Sequence, residues 1–246
     1  MSEPVRIITF TPVYKRREIL EIMLKGVQRL CAHDPARFDI TPFFIVSDPA
    51  DRDIIDRYGY ASIEHPNHPL GKKKNAGLRH VMQVCDFDYL LELGSDDLLT
   101  SDYLDFFEPH MRQGVAAANI GTAYFIDIAS LKVAYWETQR IIGAGRILSR
   151  EAIQQIHESG NELWNDDAER GMDTWSWRRL SYCGIHNTLL WVYDTCYILD
   201  LKSPDNLNHI SNYERSPRSQ AEILARFPEA PEIIKLAHQW QAKKQA

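Results

Sequence analysis

Apolar and polar positions alternate between two kinds of run along the first hundred residues. Short, dense apolar runs read as buried strands: Arg6-Ile7-Ile8-Thr9-Phe10-Thr11-Pro12-Val13-Tyr14, Phe43-Phe44-Ile45-Val46 and Asp88-Tyr89-Leu90-Leu91-Glu92-Leu93. Pro12 is expected to end the first. Between them the apolar residues fall at helical spacing: Ile19, Ile22, Met23, Val27 and Leu30 mark a helix over 18–30. Two more helices are expected over 51–58 and 72–84, and a short strand over 61–64. Strands alternating with helices predict right-handed βαβ units, hence an α/β fold with a mostly parallel central sheet flanked by helices.

The second half is less regular. Strands are expected over 115–119, 123–128 and 132–136, the last two forming a hairpin around Ala129-Ser130. A helix starts near Glu151 with Ser149 as its N-cap. Further strands are expected over 189–192 and 197–199. From Gln220 the chain reads as helix, broken between Phe227 and Pro231. The simplest organisation is one α/β domain over 1–212 with a C-terminal helical appendage over 213–246.

Composition narrows the function classes. The 246 residues are 44% hydrophobic and 25% charged, as in an ordinary globular protein. A net charge of −6 gives no general affinity for nucleic acid, although basic residues gather late, at Arg178, Arg179, Arg215, Arg218, Lys243 and Lys244. Four scattered cysteines form no CxxC pair, which argues against zinc and against a disulfide framework. No apolar run approaches the roughly 20 residues that span a bilayer. With no signal peptide read at the start, the expected location is the cytoplasm.

The chemistry concentrates where strands end. Parallel sheets bind ligands at the carboxyl ends of their strands, and Tyr14, Asp48 and Asp96 all fall there. The fourth strand runs out into Gly94-Ser95-Asp96-Asp97. Adjacent carboxylates at such a place suit Mg²⁺ or Mn²⁺, which take oxygen ligands from protein and substrate phosphates. The alternative is that Asp96 or Asp97 only caps the next helix.

The order of these motifs resembles glycosyltransferase family 2, whose fold is the Rossmann-like GT-A fold. Thr11-Pro12-Val13-Tyr14 resembles the family's first strand and donor loop. Ser47-Asp48 is similar to its second-strand acid, which meets the donor base. Lys74-Asn75-Ala76-Gly77-Leu78, followed by 89–97, resembles its basic-Asn-x-Gly and Asp-x-Asp block. Gly94 stands where the family has its first acid; Asp96 matches the last, the metal ligand, with Asp97 as substitute. The resemblance implies a nucleotide-sugar donor, a UDP-sugar foremost, and Mn²⁺ or Mg²⁺. Its donor-binding residues would be Thr11, Pro12, Tyr14, Asp48, Lys72, Lys74, Asn75, Ser95 and Arg146. The diphosphate leaving group needs positive charge, for which Lys72, Lys73, Lys74 and Arg146 are candidates.

Inverting transfer also needs a general base. Met172-Asp173-Thr174-Trp175-Ser176-Trp177-Arg178-Arg179 resembles the segment that supplies it, with Met172 replacing the first acid and Asp173 matching the second. Asp166 and Asp167 compete for the role, and Trp175 and Trp177 are candidates to stack on sugar or base. The glycines of Gly143-Ala144-Gly145-Arg146 permit close approach to a ligand. His209 is the candidate second metal ligand. The expected acceptor is a saccharide or another hydroxyl, including a hydroxylated base in phage DNA. The competing readings are a non-catalytic nucleotide-sugar-binding or carbohydrate-binding module and a sugar-phosphate nucleotidyltransferase.

Overall fold

The computed structural model describes residues 3–138, 142–203 and 210–245. Its first half follows the alternating pattern: β1 (Val5–Val13), α1 (Arg17–Cys31), β2 (Phe38–Val46), α2 (Pro49–Arg57), β3 (Ala61–Glu64), α3 (Leu70–Val84) and β4 (Tyr89–Glu92). Then come β5 (Asp97–Leu99), α4 (Tyr103–Arg112), β6 (Ala117–Ile120), β7 (Thr122–Asp127) and β8 (Val133–Glu137). The chain closes with β9 (Arg146–Ser149), α5 (Arg150–Glu158), α6 (Met172–Tyr182), β10 (Asn187–Leu190), β11 (Ile198–Lys202), β12 (Glu214–Arg215), α7 (Gln220–Leu224) and α8 (Ala230–Gln245).

Among the described residues the strands make two sheets. The larger has seven strands in the order β10-β6-β9-β4-β1-β2-β3, and β9 alone runs against its neighbours. The smaller has five, β12-β8-β7-β11-β5. Gly121 is the single residue between β6 in the first sheet and β7 in the second. β6 and β10 are parallel to β1 and β4, so all of these strands end at one rim.

Pro12 does not end β1, which continues one residue further in register with β2. Pairing with β4 stops at Phe10–Glu92, so Pro12 has a strand on one side only. That is an edge environment, where a missing N–H is tolerated. β2 likewise begins earlier than its apolar run, because its first half is polar on one side and still pairs with β1. The expected 129–130 hairpin is present as the antiparallel β7–β8 pair. Ser149 caps α5, its hydroxyl accepting the Ala152 N–H at 3.1 Å.

Three apolar clusters hold these layers. α1, α2 and α4 cover one face of the large sheet through Leu20, Ile55, Leu104 and Phe107. α3, α5 and α6 cover the other through Leu78, Val81, Ile153 and Leu180. The third cluster joins the small sheet, α1 and the C-terminal helices, where Ile223, Phe227, Ile233 and Leu236 meet Ile19, Leu98 and Leu201. No helix among the described residues is long and apolar enough to cross a membrane.

The lysine run at the start of α3 is split by the fold. Lys72 is exposed, whereas Lys73 and Lys74 are buried. Lys73 Nζ donates to the Val13 carbonyl at 2.6 Å and to Asn67 Oδ1 at 3.3 Å, tying α3 to the end of β1. Burial drives its pKa down to about 7, against the raising influence of Asp51. Between about pH 7 and pH 10.5 the unfolded lysine holds a proton that the folded one has released, so stability from this group rises with pH across that window. Urea melts of wild type and Lys73→Met should therefore diverge from pH 7 to pH 10, the wild type gaining on the order of a few kcal/mol relative to the variant. Parallel pH curves would show that Lys73 keeps an ordinary pKa.

Candidate metal and donor site

The rim acids of the small sheet arise from strand register. β5 pairs antiparallel with β11 so that Asp97 lies opposite Asp200, and the Leu201 N–H donates to the Asp96 carbonyl at 2.8 Å. Oxygens of Asp96, Asp97 and Asp200 all lie within 4.8 Å of one another. Asp96 and Asp97 are buried. Burial first, then Asp200 and Asp96, push the Asp97 carboxyl well above the usual range. Burial and Asp96 push Asp200 up to about 6.

Among the described residues, two cations face this charge. Arg16 Nη1 donates to Asp96 Oδ2 at 2.5 Å and Nη2 to Ser95 Oγ at 3.1 Å. Lys202, two residues along β11 and therefore on the same face as Asp200, donates to Asp200 Oδ2 at 2.6 Å. Burial opposes the Lys202 charge, yet Asp200 and Asp96 together raise its pKa to about 12. Arg16 and its neighbour Lys15 both have left-handed backbone, with φ of 55° and 60°, a conformation costly for non-glycine residues.

A hard divalent cation fits this donor set. The three acids offer only oxygen, and Asp200 Oδ1 is a buried acceptor with no hydrogen-bond partner among the described residues. The repulsion that raises Asp97 and Asp200 is what a cation would relieve. Gly94 contributes no ligand, for a definite reason: a Cβ there would come within 2.8 Å of Asp96 Oδ1 and 2.9 Å of Asp97 Oδ2. Its N–H instead donates to Asp97 Oδ2 at 2.5 Å. The third carboxylate comes from β11, about a hundred residues later in the chain.

A second buried charge group lies at the end of β4. Glu92 pairs with both Lys74 and Arg146, Arg146 being its opposite number in the β4–β9 register. Arg146 is fully buried and also donates to Ser176 Oγ on α6 at 2.6 Å. Lys74 Nζ lies 4.1 Å from the Trp164 ring centre. Burial opposes ionisation of Glu92, but Arg146 and Lys74 outweigh it and lower the pKa. Asp173, at the first turn of α6, is raised by burial and then by Glu92, with Arg146, Lys74 and the Gly143 N–H as partial offsets.

Tyr213 links the two groups in space. It stacks on Phe125 with ring centres 3.9 Å apart. Burial raises its pKa, Lys202 lowers it, and Asp200, Asp173 and Asp96 each raise it further. Tyr213 is therefore within electrostatic reach of both the acid cluster and Asp173.

The other expected residues lie as follows. Thr11 is fully buried with its hydroxyl unpartnered, and Pro12 and Tyr14 are half-buried. Asp48 caps α2, accepting the Ala50 N–H at 2.9 Å, and pairs with Arg17 at 3.0 Å. Asn75 clasps the loop before α6, donating to the Trp164 carbonyl and to Asp166 Oδ1, both at 2.8 Å. Asp166 and Asp167 are exposed, Trp175 is half-buried and Trp177 is exposed. His209 lies outside the described residues. Sequence reasoning missed Arg16, Glu92, Asp200 and Lys202. Only the odd placement of polar Asp200 and Lys202 within an apolar strand hinted at them.

No family profile matches the sequence, and no curated protein matches it. Solved structures do. The S. aureus TarS 1–349 fragment is 11% identical with a TM-score of 0.56, over 97% of this chain and 72% of that one. The same fragment in complex with UDP-GlcNAc gives 12% and 0.51. Against the longer TarS structure the TM-score is 0.59, and this chain spans 37% of its length. A Drosophila β-1,4-galactosyltransferase 7 variant, solved with manganese, UDP-Gal and xylobiose, is 12% identical with a TM-score of 0.55, over 87% of this chain and 76% of that one. At such identities the likeness is one of architecture: the chain has the α/β fold of the GT-A glycosyltransferases.

Proposed function

We propose that this chain transfers a sugar from a nucleotide-sugar, a UDP-sugar foremost, to a saccharide hydroxyl, with a divalent cation and with inversion. The reading is carried by the three crowded carboxylates of Asp96, Asp97 and Asp200 where β5 pairs with β11. The TarS complex with UDP-GlcNAc and the galactosyltransferase complex with manganese, UDP-Gal and xylobiose support it at the level of fold. A modified-DNA acceptor finds no support among these neighbours.

Asp96 and Asp200 are assigned to Mn²⁺ or Mg²⁺, with Asp97 beside them. Such a cation, when bound, neutralises charge on the departing diphosphate. Arg16 and Lys202 add fixed positive charge at the same rim. Thr11, Pro12 and Tyr14 at the end of β1, Asp48 at the end of β2, buried Ser95 and exposed Lys72 are assigned to the donor. Lys74, Asn75 and Arg146 are assigned to holding Glu92 and the loop over 164–166, and so to shaping the donor cavity. Asp173 takes the proton of the acceptor hydroxyl as that oxygen bonds the anomeric carbon and the bond to the diphosphate breaks. A carboxylate raised by burial is a stronger base than an exposed one, which suits this role.

Titration calorimetry with Mn²⁺ and UDP should give a binding isotherm in wild type that weakens at least tenfold in Asp96→Ala and in Asp200→Asn. Unchanged affinity in both would remove the cluster from the metal site. Asp173→Asn should lower kcat for transfer by roughly 10²–10⁴-fold, the usual worth of a general base, with UDP-sugar affinity kept within about twofold. Transfer at the wild-type rate in this variant would assign the proton to another group. UDP-sugar binding without turnover on any acceptor would make the chain a binding module.

A further inference from the structure

The rim has a second feature that the donor and metal roles leave unused. Trp191 and Tyr193 follow β10 and are 37% and 63% exposed, while Val192 between them is buried. Alternate residues of an extended segment share a face, and these two rings are parallel, 2° apart, with centres 5.9 Å from each other. Large exposed aromatics give up the gain of burial, so an ordered pair of them is informative.

The segment is fixed in place from behind. The Gly121 N–H donates to the Leu190 carbonyl at 2.9 Å, Thr122 Oγ1 to the Val192 carbonyl at 3.0 Å, and Arg218 Nη2 to the Tyr193 carbonyl at 3.4 Å. The Trp191 ring seats on Gly121, where a Cβ would come 3.0 and 3.1 Å from two of its carbons and 3.0 Å from the Thr138 carbonyl. Nearby along the backbone are exposed Glu137, which pairs in register with Thr122, and exposed Asp194.

The location matters as much as the rings. β10 ends at the rim shared by β1 and β4, and Gly121 immediately precedes β7, whose Phe125 is in register with Asp200. Four residues of strand separate them, about 13 Å. Resting on the transferase reading above, we infer that Trp191 and Tyr193 form the stacking platform for a pyranoside acceptor of several sugar units. The electron-rich faces of aromatic rings attract the C–H face of a pyranose. Glu137, Asp194 and Arg218 offer hydrogen bonds to hydroxyls at its edge. Two rings fall well short of the roughly 800 Å² per partner that a stable protein interface buries.

The test uses chitotetraose and cellotetraose as probes, followed by saturation-transfer NMR and tryptophan fluorescence, on wild type, Trp191→Ala, Tyr193→Ala and Gly121→Val. UDP-GlcNAc thermal shift with Mn²⁺ serves as the folding and donor control. At least one tetrasaccharide should bind wild type and weaken tenfold or more in Trp191→Ala and several-fold in Tyr193→Ala. Gly121→Val keeps both rings but lifts Trp191 from its seat, and should weaken binding too. Equal binding in all variants overturns the platform. So does failure of both probes to bind wild type, and so does self-association in sedimentation that Trp191→Ala abolishes. Tetrasaccharide binding lost in Trp191→Ala, in a protein that binds no nucleotide-sugar, would keep the platform while removing the transferase reading.

Discussion

Like-charge crowding at one end of the small sheet constrains everything around it. Three carboxylates share a space less than 5 Å across, and two of them are driven toward their protonated forms by burial and by one another. Such a group persists only if positive charge is brought to it. Among the described residues the fold brings two cations, Arg16 from the turn before α1 and Lys202 from β11, and still leaves one buried oxygen of Asp200 without a donor. Arg16 reaches Asp96 from a left-handed backbone, following another left-handed residue, so local strain is accepted to place that guanidinium. A site built this way is poised between an internal ion pair and an external cation.

Glu92 solves the same problem differently. It is buried as deeply, but Lys74 and Arg146 neutralise it, and Ser176 takes a further Arg146 donor. Removing one partner of such a group typically costs about 3–5 kcal/mol, because the remaining charge is left buried. The trio therefore acts as a rigid joint between β4, β9, α3 and α6. Burial, and then Glu92 within the trio, hold the neighbouring Asp173 above the usual carboxylate range, with Arg146 and Lys74 partly offsetting them. One acid group is left short of cations and can take one up; the other is satisfied and tunes its neighbour.

Much of this was legible in the sequence because it is local. The apolar periodicity of 19–30, the Ser149 cap and the turn at 129–130 each depend on a few adjacent residues. Asp96 was legible because a strand ran out into acid. Asp200 was not, since its significance comes from pairing across to Asp97, and register between distant strands leaves no local mark. The lysine run illustrates the same limit. Three identical neighbours on a helix start point in different directions, so one is exposed, one meets the Val13 carbonyl and one meets Glu92. Pro12 looked like a terminator because the ending of β4 beside it cannot be read from β1 alone.

Anomalous diffraction at the manganese edge, from crystals grown with Mn²⁺ and UDP, decides whether the crowded acids hold a cation. A peak in contact with the carboxylates of Asp96 and Asp200 and with the UDP diphosphate is the expected result. Bound UDP with no manganese at these residues, and with Arg16 still paired to Asp96, would contradict it.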